Sequence, residues 1–178
     1  MRPLPVSFYG RNTRVVARQL LGKYIIRKIG LRKLVGKIVE TEAYFQDDPA
    51  SHAFRGRTER NAPMFEHPGR AYIYFVYGNH YCLNAVTERA GKAGAVLIRA
   101  LEPFSGISSL TNGPGKLTKA LKIDKKLNRT DLTKGNLIFA EGKSEKFHIV
   151  SAKRVGISKA SNRLYRFYIK GNAFVSKN

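Results

Sequence analysis

Short segments rich in β-branched and aromatic residues recur along this chain, and turn residues separate them more often than helices do. They predict strands over residues 24–29, 34–41, 71–77, 81–87, 93–101, 136–140, 147–150, 154–158 and 164–170. Helical patterns with a start signal are found over residues 12–21 and 115–121. Because strands and helices do not alternate regularly, we expect an α+β fold: a curved, mostly antiparallel sheet with surrounding helices.

The whole chain, residues 1–178, is predicted to form a single domain. It contains 43% hydrophobic residues, which is enough for a packed core, and it shows no repeat or linker. Cys82 is the only cysteine, so an intrachain disulfide and a cysteine-built zinc site are excluded. No apolar run approaches the ~20 residues that a membrane span requires. We therefore expect a soluble, intracellular protein without a membrane partner.

The charge of the chain points to a polyanionic partner. Lys and Arg number 33 against 12 Asp and Glu, which gives a formal net charge of +21. Nucleic acid is the commonest partner of such a protein. Residues 1–39 contain no acid, whereas six of the twelve acids fall between residues 40 and 66. This acidic stretch is either a face turned away from the partner or a catalytic pocket that keeps a carboxylate inside a positive field.

Two strands joined by Gly78 and Asn79 predict a β-hairpin, with Tyr77 beside its tip. Four tyrosines occur within ten residues here, at positions 72, 74, 77 and 81. Tyrosines in strands usually belong to the core, with the hydroxyl bonded at an edge. In a basic protein without tryptophan they are also candidates for stacking a nucleic-acid base, and Tyr77 could fill the gap left by an extruded base.

Glu42 is the candidate catalytic carboxylate. Tyr44 and His52 follow it closely, and a carboxylate with such neighbours suits general-base activation of water. Arg99 lies inside an apolar strand, where an unpaired charge would be very costly. It is therefore expected to pair with Glu42 or with Glu102.

Other classes of function remain open from the residues alone. A Mg²⁺-dependent nuclease could use oxygen ligands from Glu40, Glu42, Asp47 or Asp48. A non-enzymatic nucleic-acid-binding domain would account for the charge. The glycine-rich turn at residues 113–116 fails the nucleotide-binding pattern, but Lys116 and Lys119 on the following helix could contact DNA phosphates. The four histidines are scattered without metal-site spacing, so we predict no bound metal.

Several blocks of the sequence resemble one known family. They are Gly36-Lys-Ile-Val-Glu-Thr-Glu-Ala-Tyr44, Ser51-His52, Tyr72-Ile-Tyr-Phe-Val-Tyr-Gly78 running on to Asn84, Val96-Leu-Ile-Arg-Ala-Leu-Glu-Pro103, Gly113-Pro-Gly-Lys116, Arg129-Thr-Asp-Leu132 and Arg154-Val-Gly-Ile157. Together they look like the alkyladenine (3-methyladenine) DNA glycosylase family. The similarity covers about residues 20–175, in the same order and at similar spacing.

The resemblance implies a monofunctional base-excision-repair glycosylase that needs no cofactor. Such an enzyme flips alkylated or deaminated purines, among them 3-methyladenine and hypoxanthine, out of double-stranded DNA and hydrolyses the N-glycosidic bond. We expect a monomer with no obligate protein partner. The residue roles that the resemblance implies are general base for Glu42, water placement for Arg99, base pocket for Tyr44, His52 and Tyr74, a gate against guanine for Asn84, and DNA intercalation for Tyr77.

Overall fold

A long central strand organises the computed structural model, which describes residues 1–76, 78–143 and 145–177. This strand, β2, pairs with three others. The strands of the described residues are β1 (Tyr24–Ile29), β2 (Arg32–Phe45), β3 (Ala71–Val76), β4 (His80–Val86), β5 (Gly94–Ser105), β6 (Leu137–Ala140), β7 (Ile149–Ala152) and β8 (Arg166–Ile169). All of their pairings are antiparallel.

The strand order is β3-β4-β5-β2-β1-β6, and the β7–β8 pair joins through β8. One edge of β2 pairs with β5, whereas its other edge pairs first with β1 and then, over residues 40–42, with β8. The sheet curls into an antiparallel half-barrel. The register of β2 against β5 shifts on both sides of Glu40. Such an irregularity changes the direction of the strand at the point where its acidic residues lie.

Within the described part of the chain, three short helices cover the sheet. They are α1 (Val6–Tyr9), α2 (Thr13–Gln19) and α3 (Pro114–Ala120), and the segments Ala62–Phe65 and Lys125–Leu127 form single 3-10 turns. Asn12 is the N-cap of α2, because its side chain accepts a hydrogen bond from the Arg14 amide at 3.0 Å. Over the described residues, no helix is long and apolar enough to cross a membrane.

One large apolar core lies between these helices and the sheet. Each large side chain buried in it contributes roughly 1.5–3 kcal/mol relative to exposure. On the helical side α2 is tied to the sheet by a hydrogen bond of 2.9 Å from the Thr41 hydroxyl to the Ala17 carbonyl. The largest fully buried side chains of this core include Tyr9, Phe139, Phe167, Leu20, Ile25, Ile38 and Leu83.

The predicted fold class is confirmed, but one predicted strand is wrong. Residues 154–158 do not form a strand in the structure. This segment contacts β2 through hydrogen bonds that involve side chains and not through a backbone ladder. The Arg154 side chain donates to the Ala43 carbonyl at 3.0 Å, and the Val155 amide donates to the Glu42 carboxylate at 2.8 Å. Several strand boundaries also differ from the prediction: β2 and β5 are longer, β7 begins at Ile149, and β8 is shorter.

Candidate active site

A cavity of about 570 Å³ opens between β2, β3, β4, β5, the loop after β2 and residues 155–157. It brings together six of the predicted site residues, which are Glu42, Tyr44, His52, Tyr74, Asn84 and Arg99. Tyr77 lies outside the described residues. Helix α3 contributes Pro114 to the cavity wall, and Lys116 and Lys119 are exposed on the same helix.

The carboxylate of Glu42 is fully buried from bulk solvent at one wall of this cavity. The Tyr44 hydroxyl donates to its Oε2 at 2.8 Å, because residues two apart on a strand share a face. The Val155 amide donates to its Oε1 at 2.8 Å, and Arg99 Nη1 lies 3.3 Å from the same oxygen. Burial raises the pKa of Glu42, and the positive charge of Arg99 opposes that rise.

Arg99 forms two carboxylate pairs in the structure. The predicted pairing with Glu42 is confirmed, and Arg99 Nε also lies 3.0 Å from Glu40 Oε1. The alternative pairing with Glu102 is wrong, because Glu102 turns toward Lys37, whose Nζ lies at 3.0 Å. Arg99 lies in the middle of β5, opposite the acidic residues of β2. Glu102 lies opposite Lys37, nearer the end of this strand pairing.

An aromatic wall faces the cavity from β3 and from the loop after β2. The rings of His52 and Tyr74 have centroids 4.6 Å apart, and those of Tyr72 and Tyr74 are 5.1 Å apart. His52 Nδ1 and the Tyr72 hydroxyl are 2.9 Å apart, which fixes the imidazole. Burial lowers the pKa of His52, and nearby Arg60 lowers it further, so the ring is neutral at neutral pH. The first ring pair is edge-on and the second is tilted, so the rings form an aromatic lining that suits a flat, electron-poor heterocycle.

The floor of the cavity comes from β4. The side-chain amide nitrogen of Asn84 donates to the Tyr72 carbonyl at 3.0 Å, which fixes the orientation of that amide. Cys82 lies directly across the ladder from Tyr74 and is buried. Burial raises the pKa of the Cys82 thiol to about 11, so it is protonated at neutral pH.

A buried ion pair supports the segment that faces Glu42. Arg154 donates to both carboxylate oxygens of Asp48, and both side chains are fully buried. The guanidinium also lies over the Tyr44 ring, 4.7 Å from its centroid. Sequence analysis missed this role, because Asp48 was considered only as a metal ligand and Arg154 fell in a predicted strand. The signal in the sequence was weak, because Lys153 directly precedes Arg154 and the segment is not an apolar strand like that of Arg99.

The four acids that the nuclease alternative names do not form one cluster, and the two that lie close together, Glu40 and Glu42, both contact Arg99. Glu40 is paired with Arg99 and Arg166, Asp48 is paired with Arg154, and Asp47 is exposed. Across residues 1–76, 78–143 and 145–177, no group of three His, Cys, Asp or Glu side chains could hold a metal ion. The placement of the carboxylates therefore does not support a magnesium site.

A buried carboxylate beside an aromatic cavity, in a strongly basic protein, defines an enzyme that acts on nucleic-acid bases. The family model described as methylpurine-DNA glycosylase matches residues 7–173. The chain therefore belongs to the methylpurine-DNA glycosylase family, whose members are hydrolases of N-glycosyl bonds in base excision repair.

Similar proteins come from several bacteria. One from Carboxydothermus hydrogenoformans is 49% identical over 98% of each chain. One from Legionella pneumophila strain Corby is 48% identical over 99% of this chain and 100% of its own. One from Salinibacter ruber is 44% identical over 99% of this chain and 97% of its own. All three bear the name "Putative 3-methyladenine DNA glycosylase".

Proposed function

We propose that this protein is a monofunctional glycosylase that removes 3-methyladenine and related damaged purines from duplex DNA, with Glu42 as the general base. One observation carries the proposal: the Glu42 carboxylate lines the same cavity as His52, Tyr72 and Tyr74. A purine stacked among these rings would present its glycosidic bond to the carboxylate. The names of the relatives agree with this class of substrate.

The proposed reaction is the hydrolysis of one C–N bond. Glu42 takes a proton from water, the water oxygen bonds to the sugar carbon, and the purine departs with the electron pair of the glycosidic bond. The same carboxylate stabilises the positive charge that develops on the sugar. An alkylated purine is already cationic, so it leaves without an acid partner. The product is an abasic site in an intact strand.

The surroundings of Glu42 favour hydrolysis over a covalent lyase route. A lyase needs an amine of lowered pKa to form a Schiff base. Among the described residues that line the cavity there is no lysine. Arg99, which contacts the Glu42 carboxylate at 3.3 Å, would place the water beside it.

The aromatic wall is proposed to select the damaged base. A cationic alkylated purine is attracted to the faces of Tyr44 and Tyr74, and neutral His52 adds no repulsion. Asn84 is proposed to exclude guanine by contact with its exocyclic amine. Hypoxanthine lacks that amine, so we include deaminated purines among the substrates. This base is neutral in DNA, so its departing nitrogen must take up a proton from water, whereas a cationic alkylated purine needs none.

DNA binding would depend on the charge of the surface. Exposed Lys116 and Lys119 are proposed to contact backbone phosphates, and Tyr77 stays predicted as the side chain inserted into the duplex. Each phosphate contact makes affinity fall with salt, at a slope near −0.9 per phosphate on duplex DNA. We propose that the protein works as a monomer, inside the cell, without an obligate protein partner.

Release of free base from methylated duplex DNA in the presence of EDTA tests the function. We expect 3-methyladenine in the soluble fraction and a backbone that breaks only after alkali. Strand cleavage that requires Mg²⁺ would instead indicate a nuclease. Tight DNA binding without base release would indicate a binding domain that lacks the chemistry.

The substitution Tyr44→Phe is expected to shift the pH dependence of base release. Glu42 must be ionised to act as a base, so activity is lost as pH falls through its pKa, which burial has raised. The Tyr44 hydroxyl favours the ionised form, and its removal raises this pKa further. The acid limb of the rate profile should therefore move to higher pH. Tyr165→Phe, a matched change outside the cavity, should leave the limb in place.

A further inference from the structure

A second buried carboxylate, Glu40, lies two residues before Glu42 on β2, and the mechanism above does not use it. Its side chain has no exposed surface. Its Oε1 accepts hydrogen bonds from Arg99 Nε and Arg166 Nη1, each at 3.0 Å. Ser176 adds two donors, its hydroxyl to Oε1 at 3.0 Å and its backbone N–H to Oε2 at 2.7 Å. Four donors hold this carboxylate in one orientation.

These contacts determine where the guanidinium of Arg99 points. Its Nε donates to Glu40 at 3.0 Å, and its Nη2 donates to the Ser176 hydroxyl at 3.1 Å. A guanidinium is a rigid planar fork, so fixing two of its nitrogens fixes the third. The third nitrogen, Nη1, is the one that lies 3.3 Å from Glu42.

We propose that Glu40 and Ser176 are positioning residues for the glycosylase reaction: they aim Arg99 at Glu42, and Glu40 shares the charge of Arg99 so that Glu42 stays a competent base. The proposal rests on the proposed role of Glu42. Glu40 and Glu42 together with Arg99 and Arg166 carry a formal charge of zero, which a buried cluster requires. The Ser176 hydroxyl bridges the cluster by donating to Glu40 and accepting from Arg99.

The charge on Glu40 acts directly on Glu42. The charged or titratable groups that face Glu42 are Glu40 and Tyr44 on β2, Tyr74 on β3, Cys82 on β4, Arg99 on β5 and Arg166 on β8. Burial raises the pKa of Tyr74 and of Cys82, so both are neutral in the working pH range. Glu40 is thus the negative neighbour that offsets the two guanidiniums. Without its charge, the ionised form of Glu42 is favoured more strongly and Glu42 becomes a weaker base.

The first test is Glu40→Gln, measured by single-turnover base release from methylated duplex DNA as a function of pH. We expect the plateau rate to fall roughly 10- to 100-fold and the acid limb to move to lower pH. Loss of fold alone would lower the amount of active protein without moving the limb. Glu102→Gln, the same change on the Lys37-paired carboxylate of β5, serves as the control and should leave both quantities unchanged.

The second test uses Ser176→Ala, which removes only the bridging hydroxyl and keeps the backbone N–H donor. We expect the plateau rate to fall roughly 3- to 10-fold with unchanged affinity for methylated DNA. Ser176→Thr keeps a hydroxyl and should restore the rate. An unchanged rate in Ser176→Ala would overturn the proposal. This test remains decisive even when Glu40→Gln does not fold.

Comparison with Glu42→Gln separates the positioning role of Glu40 and Ser176 from the proposal that Glu42 is the general base. Wild-type turnover by Glu42→Gln would refute the assignment of the base itself. Loss of activity in Glu42→Gln, together with unaltered rate and pH profile in Glu40→Gln and Ser176→Ala, would refute the positioning role alone.

Discussion

Replacing Glu42 by glutamine is expected to slow base release by roughly 10³-fold while DNA binding is retained. The substitution keeps the shape of the side chain, so the cavity should persist. The amide oxygen can still accept from the Val155 amide and from Arg99, as Oε1 does now. The amide nitrogen can donate to the Tyr44 oxygen in place of the present contact. What disappears is the negative charge that would take the proton and stabilise the sugar cation.

Two measurements check this expectation. Single-turnover release of purine from methylated duplex DNA gives the chemical step, and fluorescence anisotropy with the same DNA gives the affinity. Glu141→Gln is the matched control, since it makes the same charge change in a surface pair with Lys23. Both variants should bind DNA alike, and only Glu42→Gln should lose activity. Equal activity in the two variants would require a different base.

The residues that surround the cavity were predictable from the sequence where a single side chain carries a clear chemical signal. Glu42, Tyr44 and His52 were expected to act together, and the cavity contains all three. Arg99 was expected to need a carboxylate because it interrupts an apolar strand, and it has two. Glu40 also reaches Arg99, although the register of β2 against β5 shifts around Glu40.

Long-range contacts were the part that the sequence could not supply. The segment after β7 looks like a strand because Val155 and Ile157 are β-branched, yet it contacts β2 through the Glu42 carboxylate and the Ala43 carbonyl instead of a strand ladder. Arg60 is set against Tyr74 by the loop after β2, and Ser176 reaches Glu40 from 136 residues away. Local sequence patterns carry no information about contacts between residues so far apart in the chain. These contacts could therefore be identified only from the structure.

Breaking the buried Asp48–Arg154 pair is expected to destabilise the protein strongly. Asp48→Asn leaves the Arg154 guanidinium buried and uncompensated, and such a loss costs about 3–5 kcal/mol. The amide still accepts from the Ala50 backbone as Asp48 does, so the local turn survives. The free energy of unfolding, measured with urea, should fall by that amount. Glu141→Gln, at a partly exposed pair, should cost less than about 1 kcal/mol.

The double variant Asp48→Asn with Arg154→Met separates the ion pair from general damage to the segment. Methionine fills much of the space of arginine without a charge, so no uncompensated guanidinium remains. The loss of stability in the double variant should be smaller than the sum of the two single losses. Base release should stay low even so, because Arg154 no longer donates to the Ala43 carbonyl and the Val155 amide is no longer held against Glu42. Strictly additive losses would show that the two side chains stabilise the fold independently.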